Sequence, residues 1–230
     1  MKTKLFTVAL LFLSGVAATS RAAIIVVPDE QYGTNNIVFT VNPDSVGGKA
    51  NRGITTTREI RQSFKNPATF DVKRIATSLD INNAATGLLL KFYEVDNTTV
   101  DNIGNPVVGT LFHTITVPAG TYGNSTTGMS FYLSGSDVFS LPQRNAGTTG
   151  YALGISQIDT AGTNSGVVHF ANAGGDHYTD GKIYTETGGQ SSPSRDAGLA
   201  LSSVPEPASM VLVLLGLIGA ATATLRRRAA

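Results

Sequence analysis

The sequence predicts an all-β body, an antiparallel β-sandwich of jelly-roll type, over residues 23–203. Three observations favour this fold class. No stretch of the body has a convincing helical period, apolar residues alternate at every second position in many short runs, and turn-forming residues separate those runs. The body is rich in Gly, Thr, Ser, Asn and Val and has few of the residues that surface helices favour. Many short strands between turns are typical of a two-sheet sandwich.

The alternating runs define the candidate strands. The run 54–64 places six side chains on one face, and the run 75–81 places four. In the run 88–95 both faces carry apolar residues, which indicates a strand buried on both sides. A final strand is predicted over 197–201, where leucines alternate. The remaining runs are Leu111, His113, Ile115 and Val117; Met129, Phe131 and Leu133; Tyr151, Leu153 and Ile155; and Val168 with Phe170.

Turn chemistry lies between these runs and fixes their ends. Gly, Pro, Asn and Asp supply the backbone angles and local hydrogen bonds that turns need. The turn segments are 66–67, 82–83, 96–97, 104–106, 118–120 and 174–176. No internal repeat is evident, so one domain is predicted. Residues 187–195 are rich in Gly, Ser and Pro and read as a flexible loop or stalk.

The first 22 residues have the three parts of a secretory signal peptide. Lys2 and Lys4 form the positive start, residues 5–16 form the apolar core, and small residues follow to Ala22. Small residues before Ala23 place the mature start there, although cleavage after Ala18 also fits. An uncleaved N-terminal anchor is the alternative. These features predict export through the Sec translocon and cleavage by signal peptidase.

The last 27 residues, 204–230, form a second end signal. Val204, Pro205, Glu206 and Pro207 make a stiff tetrapeptide, because each proline fixes φ and removes a hydrogen-bond donor. An uncharged run of 18 residues follows at 208–225. As a helix this run would be about 27 Å long, close to the thickness of a bilayer's hydrocarbon core. The run ends in a cluster of arginines, which the positive-inside rule keeps in the cytoplasm: Arg226, Arg227 and Arg228.

The order of tetrapeptide, apolar helix and arginine cluster resembles the PEP-CTERM sorting signal of Gram-negative bacteria. The resemblance covers only residues 204–230. It implies that exosortase, a membrane-embedded cysteine transpeptidase, recognises the tetrapeptide, removes the helix and passes the protein on. It also implies transient anchoring in the inner membrane with the body in the periplasm, and then a place at the cell surface or in the extracellular matrix. An ordinary single-span tail anchor is the alternative.

Composition restricts the classes of partner and chemistry. Without the six basic residues of the two end segments and Glu206, the body keeps 11 basic and 15 acidic residues, a net charge of −4. This balance gives no support to nucleic-acid binding. The chain has no cysteine, which excludes disulfides and thiolate chemistry. A body of this size can bury a core without covalent staples.

Few residues suggest a ligand site. Asp176 and Asp180, with His177 and Tyr178 between them, lie on a glycine-bounded loop that predicts either a calcium or sugar site or a polar turn. No other cofactor is expected. A second oxygen-rich loop contains Asp96, Asn97, Asp101 and Asn102, without a calcium pattern.

The histidines, His113, His169 and His177, share no metal-ligand spacing. A basic group is expected to lie on solvated strand edges, with contact to an anionic polysaccharide as the alternative: Lys49, Arg52, Arg58, Arg61, Lys65, Lys73 and Arg74.

Three hypotheses about function remain open. The first is a non-enzymatic surface or matrix protein with a structural or adhesive role in exopolysaccharide or biofilm. The second is a carbohydrate-binding module, assisted by calcium. The third is a secreted glycoside hydrolase or lyase, whose two carboxylates the sequence alone cannot place. The absence of tryptophan argues against the second and third, because large aromatic rings favour stacking on sugars.

Overall fold

The computed structural model describes residues 23–28, 32–33, 35–46, 49–81, 86–98, 109–158, 166–171, 177–185 and 195–203. These residues form sixteen β-strands and two short 3-10 helices, at 43–45 and 135–137, so the predicted all-β sandwich is confirmed. The strands are β1 (Ala23–Pro28), β2 (Val38–Phe39), β3 (Lys49–Ile54), β4 (Ile60–Phe64), β5 (Phe70–Val72), β6 (Arg74–Thr77), β7 (Leu79–Ile81), β8 (Leu88–Val95), β9 (Thr110–Val117), β10 (Met129–Ser134), β11 (Phe139–Leu141), β12 (Gly150–Gln157), β13 (Gly166–Ala171), β14 (Ile183–Thr185), β15 (Asp196–Ala197) and β16 (Leu199–Ser202).

Two five-stranded antiparallel sheets form most of the fold. The first sheet has the order β1-β10-β6-β16-β2, and the second has the order β14-β4-β12-β8-β9. A smaller sheet has the order β3-β13-β15, and β7 also pairs with β13. A separate pair of strands is formed by β5 and β11. Most neighbours in these sheets are distant in sequence, so long-range pairing defines the fold.

One hydrophobic cluster joins the sheets. Ile75 and Phe131 of the first sheet and Phe64 and Phe92 of the second belong to this cluster, and none of the four side chains is exposed to solvent. The ring of Phe92 also lies 4.9 Å from the ring of Phe139 on β11, in an edge-on arrangement. Burial of these side chains is the main favourable contribution to folding, about 1.5–3 kcal/mol for each large apolar side chain.

The predicted strand 54–64 is wrong as a single strand. The structure divides it into β3 and β4, with a turn between them. The hydroxyl oxygen of Thr55 accepts hydrogen bonds from the amides of Thr57 and Arg58, at 3.2 and 2.8 Å. This local bonding replaces the strand ladder, which is how threonine commonly forms turns.

The predicted strand 75–81 is also interrupted, at Ser78, where two chain segments cross. Ser78 separates β6 from β7, and Gly198 separates β15 from β16. The Ser78 amide donates to the Gly198 carbonyl at 3.1 Å, and the Gly198 amide donates to the Ser78 hydroxyl at 3.0 Å. A Cβ atom at residue 198 would collide with the hydroxyl of Tyr32, so this crossing requires glycine. The final strand predicted over 197–201 is present as β15 and β16.

The turn at residues 118–120 is confirmed. The amide of Thr121 bonds to the carbonyl of Pro118, and Gly120 between them has φ +73°. In this four-residue turn Gly120 is the third residue, and a glycine of positive φ at that position is the pattern of a type II turn.

The end segments predicted from the sequence lie outside the described residues. These are the signal peptide at 1–22 and the apolar run at 208–225. Within the described ranges, no helix is long and apolar enough to cross a membrane. Of the predicted loop 187–195, the structure describes Arg195, whose guanidinium lies 5.2 Å from the centre of the Phe170 ring.

Candidate functional site

The last strand of the fold leads directly into the tetrapeptide segment. β16 lies between β6 and β2 in the first sheet, and all four of its residues are buried. The amide of Lys73 donates to the carbonyl of Ser202 at 3.0 Å, which fixes the end of the strand. Only Ser203 separates this bond from Val204. The sequence-predicted sorting residues, Val204, Pro205, Glu206, Pro207, Arg226, Arg227 and Arg228, lie outside the described residues.

The first strand of the fold begins at the same end of the first sheet. Ala23 pairs with Ser134 in β10, and Tyr132 of β10 pairs with Arg74, which in turn pairs with Ser202. β1 therefore starts where β16 ends. We call this side of the first sheet the exit end.

The candidate calcium residue Asp180 is used in an ion pair. Its carboxylate lies 2.8 Å from the ammonium group of Lys65. Asp176 lies outside the described residues, so the pairing of the two carboxylates predicted from the sequence stays a prediction. Among the residues that the structure describes, no group of three or more His, Cys, Asp or Glu side chains could hold a metal ion.

A buried carboxylate that the sequence did not single out holds this loop in place. Asp196 of β15 has no exposed surface. One of its oxygens accepts hydrogen bonds from the backbone amides of His177 and Tyr178, at 3.2 and 2.9 Å. The other oxygen accepts a hydrogen bond from Nε2 of the Gln62 side chain at 3.3 Å. The Tyr178 hydroxyl accepts a bond from the Lys65 amide, and burial raises the pKa of Tyr178 to about 12. The contacts of this loop therefore serve to attach it to β4 and β15.

The second oxygen-rich loop also contacts a cation. The carboxylate of Asp96 lies 2.8 Å from the guanidinium of Arg144, and the carboxylate of Glu94 lies 3.6 Å from the same group. Asp101 and Asn102 lie outside the described residues. The guanidinium of Arg144 thus forms ion pairs with two carboxylates on this surface.

The histidines lie in different surroundings. The ring of His113 stacks on the ring of Phe139 at 4.1 Å, and burial lowers the pKa of His113. The Nε2 atom of His169 lies 3.2 Å from a carboxylate oxygen of Asp80. His177 lies on the loop held by Asp196.

The basic group does not form one surface, and its predicted exposure is wrong for Arg74. That side chain is only 1% exposed, because its guanidinium donates to the carbonyl of Tyr32 at 2.8 Å and to the hydroxyl of Ser130 at 3.1 Å. Arg52 is exposed on β3, whereas Lys65 contacts Asp180. A buried guanidinium needs such acceptors to offset its lost hydration.

A charged cluster on one face of the second sheet was missed by the sequence analysis. Glu59 is 2% exposed and lies just before β4. One carboxylate oxygen accepts from Nε of Arg61 at 2.5 Å, and the other accepts from Nζ of Lys91 at 2.8 Å and from the hydroxyl of Tyr93 at 3.2 Å. Arg61 also lies 4.1 Å from the centre of the Tyr93 ring. Gly154 on β12 leaves room for the carboxylate, because a Cβ atom there would collide with it.

The protonation of Glu59 follows from these contacts. Burial acts to raise its pKa, but hydrogen bonds from Lys91 and Arg61 and their charges act in the opposite direction. Together they hold the pKa of Glu59 below its ordinary value. The carboxylate is therefore ionised near neutral pH. A glycine within a run of strand residues was the only sequence signal of this close approach.

The comparison with known families identifies the C-terminal segment. A family model described as the PEP-CTERM protein-sorting motif matches residues 203–228. The match includes the tetrapeptide, the apolar run and the arginine cluster, and it begins one residue after β16. A comparison with curated proteins gives no match. The chain thus carries a PEP-CTERM protein-sorting motif, which indicates an exported protein that is anchored in the membrane, processed and sorted by exosortase.

Proposed function

We propose that this is a non-enzymatic structural or adhesive protein that exosortase delivers to the exopolysaccharide matrix at the cell surface. The observation that carries the proposal is the direct junction between the fold and the sorting motif. β16 is a buried inner strand of the first sheet, and the matched motif begins at the next residue. The chain therefore consists of a β-sandwich followed at once by a delivery signal.

The contacts of the described polar side chains support a structural role for the body. The candidate ligand residue Asp180 contacts Lys65, and the buried carboxylates Glu59 and Asp196 hold strands and a loop together. A sandwich with such internal bonding suits a matrix, where the protein has to keep its shape outside the cell.

Replacing both prolines of the tetrapeptide is expected to stop processing. In Pro205→Ala/Pro207→Ala, the segment loses the two fixed φ angles that we expect exosortase to recognise. The full-length form should accumulate in the membrane fraction of the native host, and the mature form in the matrix should fall to a minor fraction. Immunoblots of membrane, matrix and medium fractions measure both forms.

The matched control removes two exposed prolines from the body, Pro67→Ala/Pro118→Ala. This variant should be processed as the wild type is. Normal maturation of the tetrapeptide variant would contradict its role in recognition. Release of the mature wild-type protein into the medium, without retention by polysaccharide, would contradict the matrix role while leaving the sorting role intact.

A surface group of aromatic residues favours carbohydrate binding as the second candidate function. Phe112 on β9 is 37% exposed, and its ring lies 5.8 Å from Tyr151 and 6.3 Å from Phe139. The ring of His113 stacks on Phe139, which belongs to this group. An exposed ring that is held by neighbouring rings can stack on a sugar. Assistance by calcium bound to Asp176 and Asp180 is part of this second proposal.

If this surface binds polysaccharide, Phe112→Ala should weaken binding about 2- to 13-fold, which corresponds to the loss of about 0.5–1.5 kcal/mol that an aromatic contact contributes. The control is Phe39→Ala, which removes a 45% exposed ring from β2 in the other sheet. Binding to the host's purified exopolysaccharide is measured by calorimetry, with and without a calcium chelator. Equal binding by all three proteins would exclude the Phe112 surface, and no effect of the chelator would exclude calcium.

A further inference from the structure

Both apolar end segments connect to the same end of the first sheet. The strand order β1-β10-β6-β16 places two strands between the first and the last. Their ends at Ala23 and Ser202 are therefore about 14 Å apart across the sheet, three strand spacings. The other end of this sheet lies at Met129, Thr77 and Leu199, which pair with one another through β6.

The linker between the fold and the apolar run is too short for the opposite end of the body to face the membrane. Five chain steps lead from Ser203 to Ala208, and full extension gives a reach of about 17 Å. A compact body of this length has a radius of gyration of about 16 Å, so its diameter is well above that reach. While the apolar run is in the membrane, the exit end has to stay close to it.

The charge of the exit end allows a close approach to a bilayer. The body as a whole is acidic, with a net charge of −4. The described charged side chains near this end are Asp71, Lys73 and Asp137, because the neighbouring Arg74 is buried, so this end carries a net charge of only −1. Bacterial membranes contain anionic headgroups, which repel a strongly acidic surface.

We propose that the unprocessed protein stands on the membrane in one orientation, with the exit end against the outer surface of the lipid bilayer. The loop at 118–127, at the opposite end of the molecule, then points away from the membrane. This location follows from the bridge between Ser125 and Ile81 and from the pairing of Met129 with Thr77. The inference rests on the membrane-anchored stage and not on the matrix role, so either can fail without the other.

Energy transfer from the two ends of the body to the bilayer tests this orientation. Because the chain has no cysteine, Ser136→Cys near the exit end and Ala119→Cys in the opposite loop each create a single labelling site. Both residues are exposed. The chain without its predicted signal peptide, residues 23–230, is labelled with a donor and reconstituted without exosortase into vesicles of phosphatidylethanolamine and phosphatidylglycerol that contain an acceptor on the headgroups. Transfer should be clearly higher from residue 136 than from residue 119.

A spacer variant supplies the control. Insertion of about 20 Gly and Ser residues between Ser203 and Val204 gives a flexible linker with an end-to-end distance of about 25 Å. The difference in transfer between the two sites should then largely disappear. Equal transfer from the two sites at the native linker length, or higher transfer from residue 119, would overturn the proposed orientation. A difference that the spacer leaves unchanged would overturn the linker-length argument on which it rests.

Discussion

A protein that starts at Ala23 and ends at Gly198 is expected not to fold, whereas one that ends at Ser203 should be as stable as the body of the full-length chain. The difference between them is β16. This strand lies between β6 and β2, and the side chains of Leu199 and Leu201 are 1% and 0% exposed.

The expected size of the effect follows from what the truncation exposes. Removing one buried leucine side chain costs about 2–5 kcal/mol, and two are lost together with the pairing of β6 and β2. Native proteins are stable by only about 5–15 kcal/mol in total. The loss of β16 is therefore comparable with the whole stability of the body.

Circular dichroism and urea unfolding of the two purified proteins measure the difference. The protein ending at Ser203 should unfold cooperatively, and the one ending at Gly198 should show no transition. Cooperative unfolding of the shorter protein at a similar urea concentration would contradict the role given to β16. The expected result also restricts the position of the cleavage site, because a cleavage that yields a stable mature protein has to occur after Ser202.

The fold class could be predicted from the sequence because it depends on local patterns. Alternation at period two, the Pro118 turn and the C-terminal sorting motif are each visible within a short stretch of the sequence. The Thr55 turn was also within reach, since its hydrogen bonds join residues two and three positions apart. The prediction of one strand over 54–64 failed because alternation alone was weighed, without the turn-forming threonines.

The crossing and the buried charges could not be predicted in this way. Ser78 and Gly198 bond to each other across 120 residues of sequence. The partners of Arg74, at Tyr32 and Ser130, likewise lie on other segments. A single sequence shows that such residues are polar, but it does not show which distant groups will surround them.

The largest effect of a single substitution is expected at Glu59. Glu59→Ala removes a buried carboxylate on which Arg61, Lys91 and Tyr93 converge, and these donors lose a shared acceptor. Breaking a fully buried ion pair by removing one partner costs about 3–5 kcal/mol, and the loss here should lie near the lower value, because the Arg61 and Lys91 side chains that remain are 12% and 26% exposed. We expect a loss of this size in the free energy of unfolding, measured by urea denaturation at pH 7.

Two matched variants separate the possible causes. Glu59→Gln keeps the shape of the side chain but not its charge, so it should lose much of the same stability. Asp96→Asn removes a carboxylate whose side chain is 96% exposed and which also contacts an arginine, and it should change stability by less than about 1 kcal/mol. A Glu59→Gln protein as stable as the wild type would show that the negative charge is unimportant.

Acid should affect the wild type more than Glu59→Gln. Because burial is outweighed by the bonds from Lys91 and Arg61, the pKa of Glu59 in the folded protein lies below its ordinary value of 4.5. The ionised carboxylate therefore stabilises the fold fully above pH 4.5, and this contribution is lost as the pH falls through the lower, folded-state pKa. The difference in unfolding free energy between wild type and Glu59→Gln should thus be constant from pH 7 to about pH 5 and shrink below it. A difference that stays constant down to pH 2 would show that the Glu59 carboxylate does not stabilise the fold through its charge.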